Sequence, residues 1–210
     1  MESGIRKIYD NFALTYEANR CLFDMSEILK DFYATLNCPS GRLLDLGCGA
    51  GEPFARYFLD RGWQVSGVDF SVKMLELAAR YAPEMKTYLA DMRQIDFPEA
   101  HFSAVTAIYC IFHLPHRDHR ELFRKIYNWL TPGGKFLFTY GSKAYTGSEE
   151  FDGYKEFMGQ LLYYSHMSTD KLLKLLRSIG YQIETALERE IGGETFLWIS
   201  AIKPENQLRK

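Results

Sequence analysis

Hydrophobic and polar positions recur along this chain with two different periods, and the switches between them mark out its elements. Residues 4–20 place Ile5, Ile8, Tyr9, Phe12, Ala13 and Tyr16 at helical spacing. Residues 22–36 do the same with Leu22, Met25, Ile28, Leu29, Phe32, Tyr33 and Leu36. Two amphipathic helices are therefore expected ahead of the first strand. Both can cover one face of a sheet. The first can instead serve as a lid, because Tyr16 and Arg20 follow its apolar stripe. Leu43, Leu44 and Leu46 predict a buried strand. Residues 52–61 predict a helix with Phe54, Tyr57 and Phe58 inward, ended by Gly62. Residues 63–69 alternate as a second strand. Ser71 then caps a helix that buries Met74, Leu75, Leu77 and Ala78.

A short third strand is expected over residues 85–90. Residues 102–109 are nearly all apolar, as in a strand buried on both faces. Residues 118–130 carry Leu122, Phe123, Ile126 and Leu130 on one side of a helix, and Pro132-Gly-Gly134 turns the chain into a fifth strand over 135–140. This β–α alternation implies right-handed crossovers and a parallel sheet covered on both faces. The last third differs. Phe151, Tyr154, Phe157, Met158 and Leu161 predict a helix over 151–162. A second helix runs over 168–179, from Ser168 to Gly180. Residues 181–187 and 196–202 read as strands joined through Gly192-Gly193 in an antiparallel hairpin. The polar tail, 204–210, is expected to fray.

Composition narrows the classes. A chain of 210 residues, 47% hydrophobic and 25% charged, suits one soluble domain, residues 1–210. A formal net charge of −2 offers no basic field for nucleic acid or an anionic membrane. No apolar run reaches the roughly 20 residues a membrane helix needs, and the N-terminus has no apolar leader core. Cys21, Cys38, Cys48 and Cys110 are scattered, with no C-x-x-C pair. That disfavours a metal site or a disulfide framework and fits a reducing cytoplasm. Aromatic residues are abundant, at 15%.

The chemistry centres on residues 42–53, Arg-Leu-Leu-Asp-Leu-Gly-Cys-Gly-Ala-Gly-Glu-Pro. A strand, a glycine turn and a helix start form a cradle for a nucleotide-like ligand. A dinucleotide site would need G-x-G-x-x-G, with pyrophosphate on the helix N-terminus. Here the sixth position is Glu52. A carboxylate there repels pyrophosphate, which argues against a nicotinamide-dependent oxidoreductase. It suits a ligand with positive charge and no phosphate, such as S-adenosylmethionine. Asp45 adds a second acidic group, or bonds the turn amides, or both. Asp69, 22 residues beyond Gly47, ends the second strand, where a carboxylate can accept both hydrogen bonds of a ribose diol. Asp91 and Met92, at the end of the third strand, can hold an adenine, with Phe70 and Met74 as its walls. Met74 reads equally as core.

Leu43–Gly51, Val65–Ser71 with Met74-Leu75, Ala90-Asp-Met92 and Leu130–Lys135 resemble, in order and spacing, the class I S-adenosylmethionine-dependent methyltransferases of small-molecule type. The resemblance runs from about residue 5 to 203. It implies a Rossmann-like α/β three-layer sandwich. Its seven-stranded, mostly parallel sheet has the order 3-2-1-4-5-7-6, with strand 7 antiparallel, and two N-terminal helices form a cap. Carried over, Gly47 and Gly49 line the methionine moiety, Cys48 between them also contacts the cofactor, Asp69 takes the ribose, Asp91 and Met92 hold the adenine, and Tyr109 lies beside the cofactor. Residues 1–38 would form a lid, with Tyr16 and Arg20 approaching the carboxylate end of the cofactor, and residues 141–167 an insertion on the acceptor side.

The acceptor is less legible. Tyr109-Cys-Ile-Phe-His113-Leu-Pro-His116 follows the fourth strand. It lacks the Asp/Asn-Pro-Pro-Tyr of enzymes that methylate adenine or amide nitrogen, and the Pro-Cys of cytosine-C5 enzymes. His113 is the first candidate for a catalytic base, or is packed beneath its loop. His166, beside Tyr163 and Tyr164, is the second. His116 and His119 sit in a charged stretch that reads as solvated surface. The Tyr- and Met-rich segments 140–154 and 162–167 line an apolar acceptor pocket or form core under a cap. The expected protein is a cytoplasmic methyltransferase, monomer or homodimer, acting on a small molecule by in-line displacement. A protein or RNA methyltransferase of this fold, or a non-catalytic cofactor-binding relative, is the alternative.

Overall fold

The computed structural model describes residues 10, 13, 15, 23–157 and 159–205. Its helices are α1 (Ser26–Ala34), α2 (Phe54–Leu59), α3 (Val72–Tyr81), α4 (His116–Trp129), α5 (Lys143–Thr146) and α6 (Thr169–Ile179). Its strands are β1 (Arg42–Leu46), β2 (Gln64–Asp69), β3 (Lys86–Leu89), β4 (Phe102–Ala107), β5 (Leu130–Tyr140), β6 (Phe151–Phe157), β7 (Gln160–His166), β8 (Gln182–Ile191) and β9 (Glu194–Ile202). Seven strands form one sheet in the order β3-β2-β1-β4-β5-β9-β8. The first five are parallel, and β9 runs antiparallel between β5 and β8. This is the expected α/β topology, with β8 and β9 as sixth and seventh strands.

Side chains alternate across the sheet and split the core in two. Leu44, Val105, Phe136 and Phe138 pack with Leu122, Phe123 and Ile126 of α4 and Leu172 and Leu176 of α6. Leu43, Val65, Ala104 and Leu137 pack on the other face with Ile28, Leu29 and Phe32 of α1, Phe54 and Phe58 of α2 and Ala78 of α3. Consecutive residues of one strand thus serve opposite layers. That is why β1 and β4 read as largely apolar rather than alternating, with Asp45 and Thr106 paired inside them.

Two expectations need correction. Residues 151–162 are not a helix. They belong to the β6–β7 hairpin, a separate two-stranded sheet that pairs Phe151 with His166 and Tyr154 with Tyr163. Apolar spacing of three and four permits a helix. Gly153 and Gly159 weaken one, and Gly159 takes the turn with φ +75°. Aromatic residues then gain more from cross-strand packing. His119 is not on a solvated surface. It is fully buried on the inner side of α4, where its Nε2–H donates to the Leu114 carbonyl at 3.0 Å. Tyr140 donates its hydroxyl to Nδ1 at 2.7 Å and accepts the Met167 N–H at 3.2 Å. Most of the first expected helix, with Tyr16 and Arg20, and Met158 lie outside the described residues; within it Asp10, Ala13 and Thr15 are helical. Of these, Ala13 is buried with Ala50, Met74 and Leu77. Asp10 accepts a 2.6 Å hydrogen bond from Ser71 at the start of α3.

Candidate active site

Strand order reverses between β1 and β4, so the loops after these strands diverge and leave a crevice at their C-terminal ends. A cavity of about 1030 Å³ occupies it. Its floor is the glycine turn. Gly47, Gly49 and Gly51 all have positive φ, at 66°, 51° and 80°. A Cβ on Gly47 would meet Cys110 Cβ at 2.6 Å, and one on Gly51 would meet Ala82 Cβ at 2.8 Å, so close packing demands both glycines. A Cβ on Gly49 would touch nothing nearer than Met74 Sδ at 3.9 Å. Gly49 therefore keeps open space for a ligand, while its neighbours let the fold close.

Acidic groups surround this floor. Asp69 is buried at the end of β2; its Oδ2 accepts the Gly49 N–H at 2.9 Å and its Oδ1 the Ser71 N–H at 2.8 Å. Burial pushes its carboxyl up to about 6, against the pull of those N–H groups. Asp45 is buried in β1 and accepts from the Thr106 hydroxyl at 2.6 Å, not from turn amides. Burial carries it to about 7; the Thr106 bond opposes the rise and the Asp69 charge adds to it. Glu52 lines the same cavity. Asp91 is held by Arg93 through Nε at 3.1 and 3.0 Å and Nη2 at 2.5 Å. Burial alone would raise it, but the Arg93 bonds hold its carboxyl below the usual range. The cavity thus concentrates carboxylates, as a cationic ligand requires, and opposes a pyrophosphate.

Of the residues singled out in the sequence, Gly47, Cys48, Gly49, Asp69, Phe70, Met74, Asp91, Met92, Tyr109 and His113 all line this one cavity. Tyr109 has φ +54°, rare for a bulky residue, and donates its N–H to Thr139 Oγ1 at 2.6 Å. Its ring meets Phe23, Phe196 and Trp198. Burial, then Asp69 and Asp45, push the Cys48 thiol well up. Burial, then Asp45 and Asp69, do the same to Cys110. Both stay protonated at neutral pH and do not serve as nucleophiles.

His113 and His166 are separated. His113, in the 3-10 turn Ile111–His113, lines the cavity and donates Nδ1–H to the Tyr163 carbonyl at 2.8 Å. Burial lowers it to about 4, against that hydrogen bond. It is neutral at pH 7, with Nε2 the acceptor-type nitrogen. His166 is not among the lining residues. It is buried against Gly141, with Nε2 at 2.8 Å from Thr146 Oγ1. The sequence reading missed Phe23, Met25, Leu89, Arg93, Phe112, Glu194 and Phe196, which also line the cavity. The apolar ones read there as ordinary core. Glu194 reads as one more charge after a glycine turn.

A methyltransferase-domain family model matches residues 43–134, from β1 to the start of β5. Phosphoethanolamine N-methyltransferase 3 of Arabidopsis thaliana is 30% identical over 171 residues, which is 78% of this chain and 33% of that protein. The chain spans about a third of the length of the curated relatives it matches first. An S-adenosylmethionine-dependent methyltransferase from Mesorhizobium loti superposes with TM-score 0.70 at 22% identity, over 85% of this chain and 97% of that one. The 1,6-didemethyltoxoflavin-N1-methyltransferase of Burkholderia thailandensis gives 0.71 at 20% identity, over 97% and 90%. Residues 43–134 thus match a methyltransferase domain, and the chain shares the fold and sheet order of S-adenosylmethionine-dependent methyltransferases.

Proposed function

We propose that this protein transfers a methyl group from S-adenosylmethionine to a small-molecule acceptor. The observation that carries the reading is the acidic cavity at the sheet's reversal point, with Gly49 open and Asp69 fixed beside it. S-adenosylmethionine supplies an electrophilic methyl group on a sulfonium when bound. Its positive charge fits Asp45, Asp69 and Glu52, and its lack of phosphate fits a helix mouth that carries a carboxylate. Asp69 has both oxygens oriented by backbone N–H groups and keeps lone pairs for ribose hydroxyls. Asp91 and Met92 stand at the next strand end for the adenine, between Phe70 and Met74.

What remains of the cavity lies between the loop after β4 and the β6–β7 hairpin. A volume near 1030 Å³ is at the upper end for one ligand and accommodates donor and acceptor together. The hairpin is tied to the loop by His113 to Tyr163 and by the Ser165 hydroxyl, which donates to the Leu114 carbonyl at 2.5 Å. These bonds set the acceptor wall relative to the cofactor floor, and positioning is most of what an in-line displacement needs. His113 is the base where the acceptor must lose a proton. We place the protein in the cytoplasm, as a monomer or homodimer; the free thiols of Cys38, Cys48 and Cys110 support a reducing setting. No helix among the described residues is long and apolar enough to cross a membrane. Calorimetric titration with S-adenosylhomocysteine tests the reading. Saturable one-to-one binding is expected, and its absence overturns the proposal.

A further inference from the structure

The acceptor wall is aromatic and carries one carboxylate. Phe112 stacks between Phe196 (centroids 4.8 Å apart, planes 12° apart) and Tyr164 (5.4 Å, 18°). Tyr145 packs on Phe196 at 4.2 Å. Glu194, first residue of β9 and half-buried, opens into the same cavity as Asp69 and His113. Register with Ile191 across the Gly192-Gly193 turn fixes its place. Burial holds its carboxyl above the usual range, and the charge of the nearby Lys155 opposes that rise. Lys155 spends its ammonium on the Tyr145 carbonyl and ring. Arg117 is exposed at the mouth beside Asp118, and His113 is neutral. The Tyr145 hydroxyl lies beside Glu194 and Tyr164. At the rim, Leu89, Tyr154 and Leu161 are more than half exposed, as apolar groups awaiting a ligand are.

We propose, resting on the methyl-transfer reading, that the acceptor is a primary or secondary amine on an aromatic or apolar body, and that Glu194 is the residue that selects it. The ring stack holds the body, and the Glu194 carboxylate accepts an amine N–H. An amine that enters as its ammonium first gives a proton to water; the freed nitrogen lone pair then forms the new N–C bond as the methyl's bond to sulfur breaks, and sulfur keeps that electron pair. Positive charge passes from sulfur to nitrogen, and the surplus proton leaves to water. A carboxylate at the nitrogen and aromatic faces around it both favour that charge shift. A hydroxyl acceptor can occupy the same volume but develops no lasting cation for Glu194 to hold.

The test uses phenethylamine and its isostere phenethyl alcohol as probes, with binding and methyl transfer both measured. The amine is expected to bind the protein saturated with S-adenosylhomocysteine at least tenfold more tightly than the alcohol. Glu194→Gln should erase that preference and leave S-adenosylhomocysteine binding unchanged, while Glu194→Asp should keep a preference for the amine. Equal affinity for the two probes in the wild-type protein overturns the proposal, and so does an unchanged preference in Glu194→Gln or equal loss in both variants. Failure of the wild-type protein to bind S-adenosylhomocysteine instead overturns the methyl-transfer reading itself.

Discussion

Gly49 donates its backbone N–H to Asp69 Oδ2 at 2.9 Å, so the turn after β1 and the end of β2 are joined at the floor of the cavity. The bond orients the carboxylate and gives the strained turn a partner. Asp69→Ala should leave the Gly49 and Ser71 N–H groups without their acceptor, at a cost of about 1–3 kcal/mol, and should lose most affinity for S-adenosylhomocysteine. Urea denaturation and calorimetry measure the two effects separately. Normal cofactor affinity in this variant would refute the role given to Asp69.

The glycines of the turn should respond differently to alanine. Gly47→Ala adds left-handed strain and a 2.6 Å overlap with Cys110 Cβ, so it should destabilise by roughly 3 kcal/mol or more. Gly49→Ala adds strain of about 1–2 kcal/mol but no overlap. It should fold and still bind S-adenosylhomocysteine at least tenfold more weakly, because its methyl group enters the cavity.

Asp45 should make stability fall as pH rises. Its folded value is raised to about 7 from 3.8, so the stabilisation of the buried neutral acid is complete below pH 4 and is lost up to pH 7. The loss is on the order of a few kcal/mol. His113 and His119, both lowered to about 4 by burial, act in the opposite sense and favour the native state as pH rises from 4 to 6.5. The difference between Asp45→Asn and wild type isolates the first effect. Urea midpoints should nearly coincide at pH 4 and favour the variant at pH 8, where its affinity for the cationic cofactor should be the lower of the two.

His113→Gln should keep cofactor affinity and lower the turnover of an acceptor that must shed a proton by about a hundredfold. Because His113 is lowered to about 4, its contribution should be flat from pH 5.5 to 8. Steady-state kinetics across that range checks both points. A step near pH 6.5 would show that a different base is at work.

Tyr140→Phe should remove the hydroxyl between Met167 N–H and His119 Nδ1 and leave two buried polar groups unsatisfied. A loss of about 1–3 kcal/mol is expected in denaturant unfolding. Acceptor affinity should fall more than cofactor affinity, since His119 also braces the Leu114 carbonyl of the acceptor loop.

Much of this site is written locally in the chain. A glycine required at positive φ, an N-cap such as Ser71 and apolar positions such as Leu43, Leu44 and Leu46 act within a few residues, so the amino-acid sequence by itself determined the β–α alternation, the parallel sheet and the strand ends that carry Gly47, Gly49, Asp69 and Asp91, while the order of the sheet followed from the family resemblance. The acceptor side was not legible in that way. The spacing of Phe151, Tyr154, Phe157 and Leu161 serves a helix or a hairpin, and the choice fell to pairing with residues 160–166 and to the bonds from His113 and Ser165. His119 looked solvated because its neighbours in sequence are charged, yet α4 turns it toward Tyr140 of β5. Glu194 and Phe196 reach the cavity only because β9 inserts between β5 and β8. Periodicity reports which side of its own element a residue occupies. Which distant elements then meet is decided by packing and hydrogen bonding across the whole fold, and the acceptor wall is built entirely of such meetings.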